Sequence, residues 1–255
     1  MNNTITISML HMKIITGNTK TNQKTIQMAV EKAKKHGTDI LVTPELSLTG
    51  LQFNQMSNMP TLIEEAALAM NEIIEMTRKQ KLLLIVGFPE VKDHNTYYNT
   101  AMVINPWHST VGRQRKKLTL SDGWSVPGNE IHVFDYKGIR FGVMICADAY
   151  TKEVANTIKE KKADFIIAPS SWGPGLYGPE GEWEQRSLET ELPVFVCNRT
   201  GEEITMDFND AESHIIHKGE RVLTYKSKDS TLITFTWEPE QNLKKTSFII
   251  ESLGN

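Results

Sequence analysis

The sequence predicts a layered α/β fold, in which helices cover the faces of β-sheets. Short runs of β-forming residues alternate with amphipathic segments along most of the 255 residues. Hydrophobic residues make up 39% of the chain and charged residues 23%, which is typical of globular proteins and disfavours disordered or fibrous classes. A single domain of this length buries roughly three quarters of its unfolded surface, so one large core is expected.

The first half of the chain alternates strands with two helices. A strand is predicted in ITISML, an amphipathic helix in TIQMAVEKAKKHG and a short strand in DILVTPEL. A second helix is predicted in TLIEEAALAMNEIIEMTRKQ, because its apolar residues recur at helical spacing, and a buried strand follows in LLLIVGF. This order indicates two successive helix–strand units.

The second half continues the alternation and then becomes rich in strands. Further strands are predicted in YYNTAMVINP, IRFGVMIC, ADFIIAPSS, LPVFVCNRTG, SHIIHKG, RVLTYK and TLITFTW, with helices in TKEVANTIKEKK and EGEWEQRSLETE. No internal repeat or Gly/Ser linker divides the chain, so we expect one domain over residues 1–255, with about 240–255 as a C-terminal tail. These patterns leave open which strands pair.

Charge and cysteine usage limit the function classes. The 28 basic and 31 acidic side chains leave a net charge of −3 without a basic stripe, which disfavours nucleic acid as a partner. The start of the chain has no signal-like basic and apolar run, and no apolar segment approaches a membrane span, so a cytoplasmic location is expected. The two cysteines, Cys146 and Cys197, are expected to be free thiols.

Three residues are candidates for chemistry, two of them at the ends of predicted strands. Cys146 ends a strand and precedes a helix, where the helix dipole would favour its thiolate, although a small buried Cys is equally ordinary core packing. Glu45 ends another strand and would point into a ligand crevice, or else be a solvated loop acid. Lys117 belongs to the basic cluster RQRKKLTL, which alone is typical of an exposed face.

These residues resemble a known family when they are taken in order. PELSLTG, the lysines of KKLTL and MICAD are similar to the motifs of the nitrilase (carbon–nitrogen hydrolase) superfamily, whose members carry a Glu–Lys–Cys triad. The likeness extends through the VPG turn, ADFIIAPSSWG, WEQRSLE and SHIIHKGERVL. The resemblance implies a single-domain α-β-β-α sandwich of four layers and a homodimer or higher homo-oligomer acting on a small molecule. It implies no cofactor, and no zinc or nucleotide motif is present in the sequence.

The family pattern assigns roles to individual positions. Glu45 corresponds to the general base, Cys146 to the nucleophile and Lys117 to the cationic stabiliser, while the backbone N–H of Ala147 would hold an oxyanion. Lys116 is the adjacent alternative to Lys117. Lys117 is preferred because the family pattern of Lys followed two residues later by a polar residue and then Leu fits Lys117-Leu118-Thr119-Leu120.

Other positions carry weaker expectations. Asp122, in a DGW sequence before a Pro-Gly turn, is a possible second acid, although the family usually has Glu there and one fewer residue before the turn. Trp172 is expected to line the substrate pocket, with core packing as the alternative. Cys197 is expected to be an inert core thiol, and Arg186 and Glu189 to be a structural ion pair on one helix.

The function that the resemblance implies is hydrolysis of a non-peptide carbon–nitrogen bond through a thioester, with an amidase acting on a small linear amide preferred. A nitrilase or an N-carbamoyl hydrolase would use the same three side chains. A catalytically silent interaction module of the same fold is the alternative from another class.

Overall fold

The structure is a computed structural model that describes residues 4–93, 96–107, 112–119, 122–175, 178–239, 243 and 247–254. In these residues the strands form one eight-stranded and one six-stranded sheet. The eight-stranded sheet has the order β14-β13-β1-β2-β3-β4-β5, and β10 pairs with β1 beside this path. Its strands are β1 Ile5–Lys13, β2 Ile40–Val42, β3 Leu83–Asp93, β4 Thr96–Ile104, β5 Gly112–Arg115, β10 Arg199–Thr200, β13 Thr231–Trp237 and β14 Phe248–Ser252.

The six-stranded sheet has the order β12-β11-β9-β8-β7-β6. Its strands are β6 Val133–Tyr136, β7 Ile139–Val143, β8 Phe165–Pro169, β9 Val194–Cys197, β11 Ser213–His217 and β12 Glu220–Tyr225. The β11–β12 hairpin is the one predicted from SHIIHKGERVL, and it is antiparallel.

Helices cover the outer face of each sheet. The helices are α1 Thr19–Lys35, α2 Met59–Gln80, α3 Lys152–Glu160 and α4 Glu182–Thr190, with 3₁₀ turns at Phe53–Gln55 and Cys146–Tyr150. The predicted apolar stripe of α1 is buried with α2 in a cluster on the eight-stranded sheet. The stripe of α3 is buried against the six-stranded sheet, where Gly142 leaves room for Ile158. None of the helices in the described ranges is long and apolar enough to cross a membrane.

The main core lies between the two sheets. Along β1, Ile5, Ile7 and Met9 belong to the inter-sheet cluster, whereas Leu10 and Met12 belong to the cluster under the helices. This two-residue alternation is what a strand between two apolar layers requires. Aromatic rings fill the space from the other sheet, including Phe141 and Phe165 with centroids 5.8 Å apart. The four-layer α-β-β-α sandwich expected from the resemblance is thereby confirmed.

The predicted strands and helices are confirmed, but three strands lie outside the predictions. These are β5, β6 and β14. β5 overlaps the start of the cluster RQRKKLTL, whose charges obscured its strand character. β14 pairs with β13 and corrects the expectation that about 240–255 is only a tail, although residues 240–242, 244–246 and 255 lie outside the described part.

The parallel strands bring distant parts of the chain to one edge of the sandwich. β1, β2 and β3 are mutually parallel in one sheet, and β7, β8 and β9 are parallel in the other. Glu45 follows β2, Cys146 follows β7 and Ser171 follows β8. The carboxyl ends of parallel strands are where α/β folds form ligand crevices.

Candidate active site

Glu45 lies in a tight turn between β2 and the first 3₁₀ segment. The turn is held against β3 by the Thr43 N–H, which donates to the carbonyl of Ile85, and by the Ser47 hydroxyl, which donates to the carbonyl of Gly87. A side chain at Gly87 would place its Cβ 2.4 Å from the Pro44 carbonyl oxygen, so the approach requires glycine. The turn therefore fixes the position of Glu45.

The Glu45 carboxylate is buried and accepts several hydrogen bonds. Oε1 accepts from Asn99 Nδ2 at 2.8 Å and from Lys116 Nζ at 2.6 Å. Oε2 accepts from the backbone N–H of Ser171 at 3.2 Å, while the Ser171 hydroxyl donates to the Glu45 carbonyl. The carboxylate is thus oriented by groups from β4, from the end of β5 and from the end of β8.

The lysine at this site is Lys116, and the prediction of Lys117 is wrong. The Lys116 N–H donates to the carbonyl of Asn99 and continues the β4–β5 ladder by one residue. Side chains alternate along a strand, so Lys116 shares the buried face with Gln114, whereas Lys117 turns outward. Lys117 Nζ lies 3.9 Å from the exposed Glu153 carboxylate instead.

Cys146 is the first residue of the second 3₁₀ turn and lies three residues after the end of β7. Its backbone φ is 47°, in the left-handed region that non-glycine residues rarely adopt. The thiol is close enough to the Glu45 side chain and to the backbone of Ser171 for both to act on its pKa. Ala147 follows, and its N–H is at the start of the 3₁₀ turn, where it has no acceptor within the turn.

Electrostatics at this site favour a neutral thiol beside a charged pair. Burial raises the pKa of the Cys146 thiol, the Glu45 carboxylate raises it further, and Lys116 opposes them. The expected preference for thiolate is therefore wrong for the resting state. Burial is the largest single effect and acts to lower the pKa of Lys116, but Glu45, Cys146 and Asp148 together outweigh it and hold that pKa above its ordinary value. Lys116 is accordingly protonated.

Asp148 joins the two segments that carry Cys146 and Lys116. Its Oδ1 accepts from the backbone N–H groups of Lys117 and Leu118, at 2.9 and 2.7 Å, and its Oδ2 accepts from Ile145 N–H at 3.1 Å. Burial raises the pKa of this carboxyl to about 6. Sequence reasoning missed both Asp148 and Asn99, although an acid two residues after the candidate nucleophile was a usable signal.

A cavity of about 300 Å³ opens onto these groups. Glu45, Lys116, Cys146, Ala147 and Ser171 line its reactive end. Trp172 also lines it, as predicted, and packs on Tyr150 and Trp183 at centroid distances of 4.8 and 5.0 Å. Trp172 therefore both lines the cavity and packs against core rings, while its role in binding substrate stays a prediction.

Asp122 lines the same cavity, but its carboxylate is held within its own turn. It accepts from the backbone N–H groups of Trp124 and Ser125 and, at 2.5 Å, from the Ser125 hydroxyl. These bonds explain the DGWS sequence as a turn. A role for Asp122 as a second acid stays a prediction.

The contacts also test the expectations that Cys197 is a core thiol and that Arg186 and Glu189 form an ion pair. Cys197 is buried in β9, with its sulfur 3.4 Å from the Leu10 carbonyl and 3.3 Å from that of Val42, so it is a core thiol. Arg186 and Glu189 form an ion pair of 3.1 Å on α4, as predicted.

Comparison with known proteins now identifies the family. Residues 6–243 match the model of the carbon-nitrogen hydrolase family, and the chain belongs to that family, within the nitrilase superfamily. It is 28% identical to a nitrilase of Pyrococcus abyssi over 192 residues, which cover 73% of this chain and 72% of the nitrilase. It is 21% identical to a glutamine-dependent NAD(+) synthetase of Acinetobacter baylyi, covering 90% of this chain but only 43% of the synthetase.

A solved structure shows the same fold. It is a double mutant of the amidase from Nesterenkonia sp. AN1 in complex with acrylamide, with a TM-score of 0.82 and 17% identity, and the match covers 95% of this chain and 94% of that chain. At this identity the likeness supports the fold alone.

Proposed function

We propose that this carbon–nitrogen hydrolase is an amidase that converts a small linear amide to a carboxylate and ammonia through a thioester on Cys146. The observation that carries the proposal is the meeting of a thiol, a carboxylate and an ammonium in one cavity, where Glu45 Oε1 lies 2.6 Å from Lys116 Nζ and Cys146 lines the same end. A thiol, a base and an oxyanion site are the parts that acyl transfer requires.

In the acylation step, Glu45 takes the proton of the Cys146 thiol as the sulfur attacks the amide carbonyl carbon. The carbonyl oxygen becomes an oxyanion, which Lys116 Nζ and the Ala147 N–H stabilise. Glu45 then returns the proton to the amide nitrogen, the carbon–nitrogen bond breaks and ammonia leaves. A raised thiol pKa suits this order, because proton transfer then accompanies attack.

In the deacylation step, water attacks the thioester carbon while Glu45 accepts one of its protons. The same two donors hold the second oxyanion. Collapse breaks the carbon–sulfur bond, the proton passes to the sulfur, and the carboxylic acid product is released. The bonds from Asn99 and Ser171 keep the Glu45 carboxylate oriented through both steps.

The test compares the two cysteines of the chain. Cys146→Ala is expected to fold, to release no ammonia from small amides and to show no acyl adduct by intact-mass spectrometry. Cys197→Ala is the matched control, because its thiol lies in the core, and it is expected to retain both signals. Ammonia release that survives Cys146→Ala would contradict the mechanism.

Matched amide and nitrile substrates separate the two reaction types of the family. We expect a higher kcat/KM for the amide. A higher value for the nitrile would instead assign the chain to nitrile hydrolysis with the same three side chains, and the absence of turnover for both types, with no acyl adduct, would favour the silent interaction module.

A further inference from the structure

The cavity has an apolar wall beyond its reactive end. Leu51, Trp124, Tyr150, Trp172 and Met206 contribute to it. Trp124 packs edge-on against Phe53 at a centroid distance of 4.9 Å, and Trp172 is held between Tyr150 and Trp183. These rings are therefore fixed in place before a substrate arrives, as expected for a preformed ligand site.

The remaining wall is polar but carries no positive charge. Gln52, Asn54, Gln55 and Thr119 are neutral, and Asp122 is acidic. Gln52 is fixed by a reciprocal pair of bonds with Thr205, at 2.6 and 2.8 Å.

Lys116 is the only basic residue that lines this cavity among the residues that the structure describes, and its ammonium is bonded to Glu45. Lys117 reaches Glu153 outside the cavity lining. A carboxylate on the substrate would therefore enter a cavity that already holds two acids, Glu45 and Asp122, with no described cation free to pair with it. Burial of an unpaired carboxylate is strongly unfavourable, and like charges add to the cost.

We propose that the site selects amides whose acyl group is uncharged, and that Asp122 is the residue that rejects acyl groups bearing a carboxylate. The inference rests on the proposed amidase function and specifies its substrate class. The cavity volume of about 300 Å³ lies at the lower end of the range of about 300–1,000 Å³ for ligand pockets, which favours a small acyl group.

The test uses two probes of nearly equal shape, succinamide and its half-acid succinamate. Both present the same primary amide, and they differ in whether the far end is a neutral amide or a carboxylate. We expect kcat/KM for succinamide to exceed that for succinamate by at least about 100-fold. Equal values, or a preference for succinamate, would overturn the proposal.

The variant Asp122→Asn removes the negative charge while its Oδ1 can still accept from the Trp124 and Ser125 N–H groups. We expect it to reduce the ratio of the two kcat/KM values by about 5-fold or more. Asp135→Asn is the matched control, because Asp135 is an exposed partner of Arg140 on β6, and it should leave the ratio unchanged. A ratio that Asp122→Asn does not alter would overturn the proposal.

A binding experiment separates this inference from the amidase proposal. If neither probe is hydrolysed, the amidase proposal fails for these compounds, and titration calorimetry on Cys146→Ala decides the charge selection. Binding of succinamide without detectable binding of succinamate supports it. Equal binding, tighter binding of succinamate or no binding of either probe overturns it.

Discussion

Replacement of Lys116 by methionine tests the site that the structure defines. Methionine keeps an unbranched side chain of similar length and removes the ammonium. The Glu45 carboxylate, which has no exposed side-chain surface, then loses the charge that lies 2.6 Å away and retains only hydrogen bonds from neutral donors. The oxyanion would also lose one of its two proposed donors.

This substitution is expected to lower both the stability of the protein and its kcat. Loss of one partner of a buried ion pair typically costs about 3–5 kcal/mol, which for a chain of this size lowers Tm by roughly 6–20 °C. Loss of one oxyanion donor typically lowers kcat by about 10²–10³-fold. We expect Lys116→Met to show both effects, with the activity loss at least this large because Glu45 is perturbed as well.

The matched control is Lys117→Met, the same substitution at the neighbouring residue. Lys117 Nζ lies 3.9 Å from an exposed carboxylate, and such surface pairs contribute about 0–1 kcal/mol. We expect its kcat/KM on a small amide to stay within about 2-fold of the wild type. The assay is ammonia release, with circular dichroism at the assay temperature to show that each variant is folded. A larger activity loss in Lys117→Met than in Lys116→Met would refute the assignment.

Two further predictions concern pH. Burial raises the pKa of Asp148 to about 6, and its protonation would remove an acceptor for the backbone N–H groups it holds, so kcat/KM should fall on the acid side with an apparent pKa of about 6. Asp148→Asn should be less active but should lack this limb, and an identical limb in the variant would contradict the prediction. Burial lowers the pKa of His11 to about 4 from 6.5, so the unfolded state binds the proton first, and stability present above pH 6.5 is lost as the pH falls towards 4. Urea unfolding near pH 7 and pH 4.5 should show that His11→Gln loses up to about 3 kcal/mol less than the wild type on acidification, whereas equal losses would reject this role for His11.

Local patterns in the sequence were sufficient for most of the fold. The apolar stripe of α1 and the alternation of β1 are set by which side each residue presents to the core, and that information is local. β5 escaped prediction because it is an edge strand of four residues with two arginines, so it carries little apolar signal. β14 is likewise an edge strand, and it pairs antiparallel with β13, the strand that precedes it in the chain.

The sequence by itself placed Glu45 and Cys146 at the ends of strands in an α/β protein, and its resemblance to the nitrilase superfamily implied that one of two adjacent lysines accompanies them. Only the tertiary structure decided between Lys116 and Lys117, because the choice depends on the register of β5 against β4, and a shift of one residue exchanges the faces. The tertiary structure likewise revealed Asn99 and Ser171 as partners of Glu45. Asn99 is separated from Glu45 by 54 positions in the chain and Ser171 by 126 positions, so these hydrogen bonds leave no trace in the local sequence. The electrostatics of the thiol also depend on tertiary neighbours, because burial and the Glu45 carboxylate raise its pKa while Lys116 opposes them.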